Sequence, residues 1–582
     1  MDETERKKPL PVGHSFFDRV VEDGFYYVDK TLFIKDLLDK NAGVTLCTRP
    51  RRFGKTLNQT MLKCFFEDNA PLPVPGGGAR KDTRALFNGL KIGVAGERYL
   101  EHQGKYPVIF LSFKEGKYGS FDESYEGLRD CIAKEFRRHG YVAEKITDKY
   151  DRELFDKLSA PTGAIGDYSR SLKFLSECLE NYHGKKAIIL IDEYDVPLEN
   201  AWSRGFYDEM INFIRPLLSS ALKDNPHLQF AVITGCLRVS KESIFTGLNN
   251  LVVNTVLSND YSGYFGFTQG EVDAMLDYYG FDGKRQIVRD WYNGYRFGNT
   301  EVYNPWSCLN VVSSWNTYIN DYPRPYWINT SSNDIIHDML DNMGADAKAG
   351  LETLMTGGTI SVAVNEYVTY GDIYTSADNL WSFLLFTGYL KMAGEARQSE
   401  GRGLTVDLSV SNIELKYVYK NQIREWFNAR VREKNLDALF SAVISGDVEM
   451  FQRELSSLLA ENISFMDSSE SFYHGVMLGV LARIDGYRLE SEPESGDGRC
   501  DLALRGTNGK DGKVIIFEFK IAAKETGLQA VCEKALKQIE AKKYAAKWES
   551  HGYKNIVKYG IGFYKKRCRV MKGEKETVSN FV

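Results

Sequence analysis

Four short apolar runs in the N-terminal part of the chain constrain its fold most. Each run is rich in β-branched or aromatic residues, and helical stretches separate the runs. Near-continuous apolar strands that alternate with helices are typical of a parallel sheet covered on both faces. Ligands of such sheets bind beyond the carboxyl ends of the strands. The predicted strands are residues 44–48, 108–113, 187–191 and 230–234.

The segment that follows the first strand predicts a phosphate-binding loop. A basic turn leads into a helix that begins with Gly54, Lys55 and Thr56. Backbone N–H groups at a helix N-terminus are unpaired and carry positive partial charge, so they suit phosphate oxygens. Lys55 would reach the β- and γ-phosphates of a nucleotide, and the Thr56 hydroxyl would hold Mg²⁺.

The loop departs from the usual pattern at Arg49, where a glycine is expected five residues before Gly54. Pro50 has no N–H group, so the cradle must begin after it, at Arg51, Arg52 and Phe53. Three functions remain open for the arginines of this turn: neutralising phosphate charge, replacing the glycine's part of the cradle, or holding nucleic acid.

The third predicted strand ends in two acids, Asp192 and Glu193. This is the Walker B arrangement, in which Asp192 joins Thr56 in holding Mg²⁺ and Glu193 polarises the attacking water. The alternative is a strand that ends in polar residues at the surface. Because the strand follows a phosphate-binding loop, the combination predicts ATP binding and, less directly, ATP hydrolysis.

The fourth strand is followed by Arg238, which we predict to sense the γ-phosphate, with Thr234 behind it. A surface arginine is the alternative interpretation. The predicted ATP site therefore comprises Arg51, Arg52, Phe53, Gly54, Lys55, Thr56, Asp192 and Arg238, with Glu193 as the catalytic residue.

The pattern of apolar strands alternating with helices ends at about Ser258. Thr268 and Glu271 match a capping box that begins a helix. Aromatic residues punctuated by Gly, Asn and Pro follow, and we interpret residues 258–415 as a mostly helical subdomain whose Trp and Tyr residues form core. Residues 492–499 are the clearest loop before the last domain.

A second chemistry is predicted near the C-terminus. Residues 499–504 and 514–520 form a predicted hairpin, in which alternation places Glu518 and Lys520 on one face. If the hairpin closes symmetrically, Asp501 lies opposite Glu518, with Cβ atoms about 5 Å apart. Two carboxylates at this distance repel each other unless a cation lies between them. The pair therefore favours a bound Mg²⁺ or Mn²⁺ ion. Lys520 would orient the water or stabilise the phosphate, as in the Asp…Glu-x-Lys core of PD-(D/E)xK nucleases.

Three further features support this interpretation over a structural hairpin with a surface Glu–Lys pair. Gln538 and Tyr544 lie on a predicted Lys-rich helix, like the Gln-plus-Tyr motif of some nucleases of that superfamily. A helix at about residues 471–484 precedes the hairpin. Residues 510–576 hold 17 Lys and Arg against 8 Asp and Glu, which suits a phosphate backbone. We interpret Cys500 as a core cysteine and His474 as a packed histidine.

Composition excludes other classes of protein. The net charge of −5 averages over domains of different charge, and no apolar run is long enough to cross a membrane. The charged N-terminus lacks a signal-peptide core. Nine cysteines without a Cys-x-x-Cys pair indicate neither a zinc site nor a disulfide framework, so we predict a cytoplasmic location. The predicted partner is nucleic acid, with DNA preferred over RNA; a homo-oligomer stays open.

Together these residues resemble a bacterial AAA-ATPase-like family with a C-terminal PD-(D/E)xK nuclease domain. The C-terminal match runs through Asp501, Glu518, Lys520, Gln538 and Tyr544. Among the other matches, the string RPRRFGK is quite specific. The matching segments outside the C-terminal domain are residues 27–31 (YVDKT), 49–56 (RPRRFGKT), 190–198 (LIDEYDVPL), 247–250 (GLNN), 265–268 (FGFT), 303–307 (YNPWS) and 387–390 (TGYL).

The resemblance implies an α/β fold: a P-loop NTPase parallel sheet at 1–257, a helical lid or linker at 258–415, and a restriction-endonuclease-like α/β domain at 416–582. It implies a P-loop ATPase coupled to a metal-dependent nuclease. The alternative is a nucleotide-switched module that binds nucleic acid or protein without cleavage. A purely structural protein is the third possibility.

Overall fold

The computed structural model of the protein describes residues 7–68, 82–238, 249–315, 317, 322–327, 334–355, 357–399, 401, 403–432, 435–462, 470–507 and 512–573. Gly247 and Leu248, which belong to one of the matching segments, and residues 508–511 of the predicted hairpin turn lie outside this part of the chain. Two compact units are present. The N-terminal unit combines Met1–Ser332 with Thr359–Lys416, and the C-terminal unit combines Asn333–Gly358 with Tyr417–Val582.

The N-terminal unit contains a five-stranded parallel sheet in the order β2-β3-β4-β1-β5. The four strands predicted from the sequence are confirmed as β1 to β4. The short edge strand β5 was not predicted, because its apolar run, Leu251 to Val253, is only three residues long. The strands are β1 Val44–Thr48, β2 Val108–Ser112, β3 Ala187–Asp192, β4 Leu228–Gly235 and β5 Leu251–Asn254.

Helices and turns separate the strands of this sheet. Every residue of β1 and β3 is buried, as expected of strands with helices on both faces. The helices are α1 Phe17–Glu22, α2 Leu32–Lys40, α3 Lys55–Phe66, α4 Glu97–Leu100, α5 Phe121–Arg138, α6 Lys149–Ser159, α7 Ile165–Ser169, α8 Ser171–His183, α9 Val196–Arg204 and α10 Tyr207–Leu222. Short 3₁₀ turns include Arg84–Phe87, Lys91–Val94, Phe113–Glu115 and Gly140–Lys145.

The segment predicted as mostly helical also contains strands. Its capping box is confirmed, since the Thr268 backbone N–H donates to Glu271 over 2.8 Å at the start of α11. The helices are α11 Gln269–Tyr279, α12 Arg285–Tyr292, α13 Pro305–Trp315, α14 Asp334–Asn342, α15 Ala345–Met355, α16 Ala377–Phe386 and α17 Ile413–Arg432. Of these, α14, α15 and the part of α17 from Tyr417 onward belong to the C-terminal unit. The strands are β6 Tyr295–Phe297, β7 Thr300–Val302, β8 Ile360–Ala363, β9 Leu390–Met392, β10 Arg397–Ser399 and β11 Gly403–Val410.

These strands were not predicted because most are only three or four residues long. Strands β6 and β7 form a hairpin, and β11 pairs with β8, β9 and β10. Such short strands leave too few positions for a period of two to be seen in the sequence.

The C-terminal unit contains a mixed sheet in the order β12-β15-β16-β17-β18, in which only the β16–β17 pair is parallel. Its strands are β12 Tyr487–Ser491, β13 Glu494–Ser495, β14 Gly498–Arg499, β15 Leu502–Gly506, β16 Lys513–Ile521, β17 Asn555–Tyr564 and β18 Arg567–Lys572. Its further helices are α18 Asp437–Ser445, α19 Val448–Asn462, α20 Glu470–Leu481, α21 Leu528–Ala541 and α22 Ala546–Ser550.

The two faces of this sheet bury different cores. Phe517 and Phe519 of β16 pack with residues of α18, α19 and α20. Ile516 packs on the other face with residues of α21, the turn after it and α22. Glu518 and Lys520 therefore lie on the face opposite Phe517 and Phe519, as the alternation predicts.

Candidate functional sites

The phosphate-binding loop connects β1 to α3 in the N-terminal unit. Lys55 is the first residue of α3, and Gly54 precedes it in the left-handed region at φ 83°. Arg52 has a φ of 69°, which is uncommon for a residue with a side chain and is found most often at functional sites. The sharp turn brings the open end of α3 close to the ends of β1, β3 and β4.

Lys55 is buried and held by the loop itself. Its Nζ donates to the backbone oxygens of Arg49 and Pro50, each at 3.1 Å, and lies 3.5 Å from Oε1 of Glu193. Burial disfavours the charged form, but the Cys236 thiol and the acids around it outweigh that effect and raise the pKa of Lys55. The ammonium is therefore charged and positioned at the end of the helix.

Arg49 does not lie in the phosphate cradle. Its guanidinium is fully buried and donates to the backbone oxygens of Thr48 and Asn254 at 2.8 and 2.7 Å. It also stacks over the rings of Phe265 and Phe297. Arg49 therefore connects the loop to β5 and to the segments beyond it. The interpretation that Arg49 neutralises phosphate or holds nucleic acid is wrong, because its guanidinium is buried among these groups.

The other loop residues take separate positions. Arg51 forms an ion pair with Glu199 of α9. Arg52 stacks on the indole of Trp306, 4.4 Å from the ring centroid. Phe53 is buried against Tyr295 and Phe297, and its backbone oxygen accepts a hydrogen bond from Gly266.

Thr56 and Asp192 meet as the sequence predicts. The Thr56 hydroxyl donates to Oδ2 of the buried Asp192 over 2.7 Å, and Thr234 donates to Oδ1 over the same distance. Burial and the neighbouring Glu193 raise the pKa of Asp192. An unpredicted residue, Lys114 in the turn after β2, also donates to Thr56 over 2.7 Å. The rule that ligands bind where parallel strands end could have identified Lys114.

Glu193 has an unusual backbone and an unpartnered oxygen. Its φ is 56°, and its Oε2 is buried without a hydrogen-bond partner among the described residues. A buried carboxylate oxygen without a partner is costly unless water or a ligand satisfies it. Glu193 lines the same cavity as Lys55 and Thr56, so this oxygen is available to a water molecule there.

Asp195 links the ends of β3 and β4 but was not predicted as a site residue. Its Oδ2 accepts the backbone N–H groups of Cys236 and Leu237, both at 2.8 Å. Burial and the nearby Glu193 raise the pKa of Asp195 to about 7. Asp195 therefore holds Cys236 beside Lys55, with Nζ and Sγ 3.6 Å apart.

Arg238 lies away from this group. Its guanidinium is over the ring of Tyr367, 4.5 Å from the centroid, and Arg238 is not among the residues that line the cavity. The γ-phosphate-sensing function of Arg238 stays a prediction. Thr234, which stood behind it in the sequence analysis, is the residue that contacts Asp192.

A cavity of about 480 Å³ opens over the loop. Its wall includes both cationic and aromatic side chains, which suits a molecule with a charged and a flat part. The cationic residues are Lys30, Arg51, Arg52, Lys55, Lys114 and Lys117, and the aromatic residues are Tyr26, Tyr27, Phe53, Tyr264, Phe267 and Trp306.

The two acids of the C-terminal unit also meet. Strand β15 pairs with β16 so that Leu502 lies opposite Phe517, and the same register places Asp501 opposite Glu518. Oδ2 of Asp501 accepts the backbone N–H of Phe519 over 2.6 Å. Glu518 is buried, and its Oε2 has no partner among the described residues. Burial, and then the charge of Asp501, raise the pKa of Glu518 to about 7.

Lys520 lies between two carboxylates. Its Nζ is 2.9 Å from Oε1 of Glu518 and 3.3 Å from Oε1 of Glu470, the first residue of α20. Burial lowers the pKa of Lys520, but its bond to Glu518 outweighs that effect and raises it. Glu470 was not predicted as a site residue, although the sequence predicts a helix that begins next to it, at about residue 471.

Gln538 and Tyr544 contact each other, with Nε2 and the hydroxyl 3.2 Å apart. Tyr544 is not on the same helix, because α21 ends at Ala541 and a turn with Lys543 at φ 51° follows. The prediction of one helix for both residues is therefore wrong. The turn buries the Tyr544 ring beside Cys500 on the face of the sheet that carries Glu518.

Cys500 and His474 lie near the acids of the C-terminal unit and pack against other parts of the chain. Cys500 is buried, and burial raises the pKa of its thiol to about 12, as suits a core cysteine. His474 Nε2 lies 3.0 Å from the backbone oxygen of Asp501. His474 therefore contacts the chain next to the acids rather than their carboxylates.

The donor set at each site fits a hard cation. Each site holds carboxylate or hydroxyl oxygens from two residues, Thr56 and Asp192 in one and Asp501 and Glu518 in the other. Within the described residues no group of three or more His, Cys, Asp and Glu side chains could hold a metal by itself. Mg²⁺ is commonly bound by one or two protein ligands together with substrate phosphates, so both pairs match that pattern.

Two family models match this chain, one in the N-terminal unit and one in the C-terminal unit. Residues 11–245 match the model of a family described as a predicted AAA-ATPase, and residues 468–573 match a PD-(D/E)XK nuclease superfamily model. The chain is 27% identical over 559 residues to an uncharacterised protein in the vnfD 5′ region of Azotobacter chroococcum mcd 1, covering 94% of this chain and 95% of that protein. Among the helices of the described residues, none has the length and apolar character needed to cross a membrane.

Proposed function

Because the chain joins an AAA-ATPase-like domain to a PD-(D/E)XK nuclease superfamily domain, we propose that it binds and hydrolyses ATP in the first and cleaves nucleic acid in the second. ATP, Mg²⁺ at the first site and Mg²⁺ or Mn²⁺ at the second are the proposed cofactors. Nucleotide state would license the nuclease.

One observation carries this proposal. Each domain holds a buried carboxylate oxygen without a partner in the described residues, Oε2 of Glu193 and Oε2 of Glu518. Each lies beside a lysine and an aspartate of the motif to which it belongs. Buried acceptors are rarely left unsatisfied, so these two oxygens favour a bound water or cation at both sites.

The residues of the N-terminal unit have defined functions in ATP hydrolysis. Lys55 binds the β- and γ-phosphates at the end of α3, where backbone N–H groups add to its charge. Mg²⁺ held by Thr56 and Asp192 would offset the charge that develops on the phosphates. Glu193 accepts a hydrogen bond from the attacking water through its free oxygen and so orients that water.

The residues of the C-terminal unit have defined functions in cleavage. A Mg²⁺ or Mn²⁺ ion at Asp501 and Glu518 would polarise the scissile phosphate. Lys520 donates to the attacking water or to the phosphate, and Gln538 with Tyr544 supports the site from the same face of the sheet. The excess of Lys and Arg over Asp and Glu in residues 510–576, 17 against 8, suits the backbone of DNA, and also of RNA.

A cleavage assay tests the nuclease proposal. Purified wild type, Asp501→Asn and Lys520→Met would be compared on single- and double-stranded DNA and RNA, with ATP and each metal varied. Wild type should cleave, and both variants should lose at least about 100-fold of the rate. Lys524→Met, at an exposed lysine after β16, should retain the wild-type rate.

Each result of that assay leads to a decision. Equal cleavage by wild type and Asp501→Asn would assign the activity to a contaminant. Nucleic-acid binding without cleavage under every condition would identify the chain as a nucleotide-switched binding module.

A further inference from the structure

Lys114 touches the two residues assigned to Mg²⁺ in the N-terminal unit. Its Nζ lies 2.7 Å from Oγ1 of Thr56 and 3.6 Å from Oδ2 of Asp192. These two oxygens also bond to each other over 2.7 Å. The ammonium therefore lies next to the oxygens that a cation at this site would use.

An ammonium and Mg²⁺ cannot share these oxygens. Both carry positive charge, and like charges a few ångströms apart repel strongly where water is partly excluded. Asp192 is fully buried, so its carboxylate needs a positive partner when Mg²⁺ is absent. Lys114 supplies that partner.

Lys114 is free to leave, whereas Lys55 is not. The side chain of Lys114 is 48% exposed, and its backbone belongs to the short turn Phe113–Glu115 after β2. The side chain of Lys55 is 2% exposed and bonds to two backbone oxygens of its own loop. The four-carbon stem of an exposed lysine reorients at little cost.

We propose that Lys114 is a competitor of Mg²⁺ that is built into the nucleotide site. It occupies the Thr56 and Asp192 oxygens in the empty site and is displaced when Mg²⁺ enters with the nucleotide. Lys114 thereby raises the Mg²⁺ concentration that nucleotide binding requires. This inference rests on the proposed ATP site, since the competition has meaning only where Mg²⁺ and nucleotide bind together.

Removing the competitor should lower the Mg²⁺ requirement. Binding of a fluorescent ATP analogue to the full chain would be followed while free Mg²⁺ is varied, for wild type, Lys114→Met, Lys114→Arg and Lys117→Met. The half-saturating Mg²⁺ concentration should fall about fivefold in Lys114→Met, a modest change because the lysine is half exposed. Lys114→Arg keeps the charge and should stay near wild type.

Lys117→Met is the matched control. Lys117 lines the same cavity and is exposed, so this variant also removes one positive charge near the nucleotide. If both methionine variants shift the Mg²⁺ requirement equally, general electrostatics explains the result and the competition is overturned. An unchanged or higher requirement in Lys114→Met overturns it as well.

The experiment separates the two proposals. Wild type that binds no analogue at any Mg²⁺ concentration contradicts the proposed ATP site, and the inference fails with it. Wild type that binds the analogue with Mg²⁺, together with a Lys114→Met variant of unchanged Mg²⁺ requirement, leaves the ATP site standing and removes only the competition.

Discussion

The proposed nucleotide site depends most directly on Lys55. Replacing it by methionine removes a buried ammonium at the end of α3 while keeping most of its volume. We expect ATP affinity to fall about thirtyfold, the effect of losing about 2 kcal/mol of charge-assisted bonding. Titration of ATP with Mg²⁺ measures this. Lys63→Met, on the same helix with its ammonium over the Phe110 ring, should bind normally; equal binding by both variants would contradict the assignment.

Glu193 tests hydrolysis separately from binding. Glu193→Gln keeps the size of the side chain but removes the carboxylate that would orient the attacking water. We expect ATP to bind with wild-type affinity and the turnover rate to fall about 100-fold or more. Steady-state phosphate release and a binding titration on the same preparation give both values. A variant that hydrolyses ATP at the wild-type rate excludes Glu193 from the reaction.

Helix α21 carries exposed lysines next to the proposed nuclease site. Lys534 and Lys537 are exposed on the same side of the helix as Gln538, and neither forms an ion pair with another residue that the structure describes. We expect Lys534→Ala with Lys537→Ala to weaken nucleic-acid binding for all sequences alike. Each lost phosphate contact lowers the slope of log affinity against log salt by about 1.

The control for α21 is a lysine that already has a partner. Lys558 of β17 lies 2.7 Å from Glu540, so its charge is largely offset. Lys558→Ala should change the salt slope little. A double α21 variant with the wild-type slope would show that nucleic acid binds elsewhere on this unit.

Predicting elements from the sequence succeeded where the pattern was long. Strands β1 to β4 and the capping box of α11 follow from apolar runs and from residues three positions apart. The same reasoning missed β5 to β11, which are mostly short, and it extended the helix of Gln538 to Tyr544. A turn residue at positive φ such as Lys543 carries no local signal comparable to a glycine.

At the scale of the molecule, Glu414 tests how burial affects stability. It is buried in the first turn of α17, where its carboxylate accepts hydrogen bonds from the Ser307 hydroxyl and from the backbone N–H of Trp327. Burial raises the pKa of Glu414 from 4.5 to about 7. The folded state therefore holds a proton that the unfolded state releases, and stability falls by up to about 3 kcal/mol as pH rises between these values.

Glu414→Gln removes that dependence because glutamine does not titrate. The melting temperature of the variant minus that of wild type should increase as pH rises from 5 to 8. Thermal unfolding at several pH values measures the difference, and the same buffers serve both proteins. A difference that does not change with pH would show that Glu414 ionises in the folded protein as it does in water.

The sequence by itself indicated the AAA-ATPase-like and PD-(D/E)XK resemblances and the main strands that carry their motifs. Phosphate loops, strand ends and Glu-x-Lys strands are local patterns, so residues a few positions apart suffice to identify them. Only the tertiary structure showed that Arg49 is buried against the backbone of β5 and that Lys114 contacts Thr56 and Asp192. Those contacts join residues as far apart as Arg49 and Asn254, 205 positions along the chain. Whether a charge is buried, paired or free depends on such distant neighbours, which no local pattern specifies.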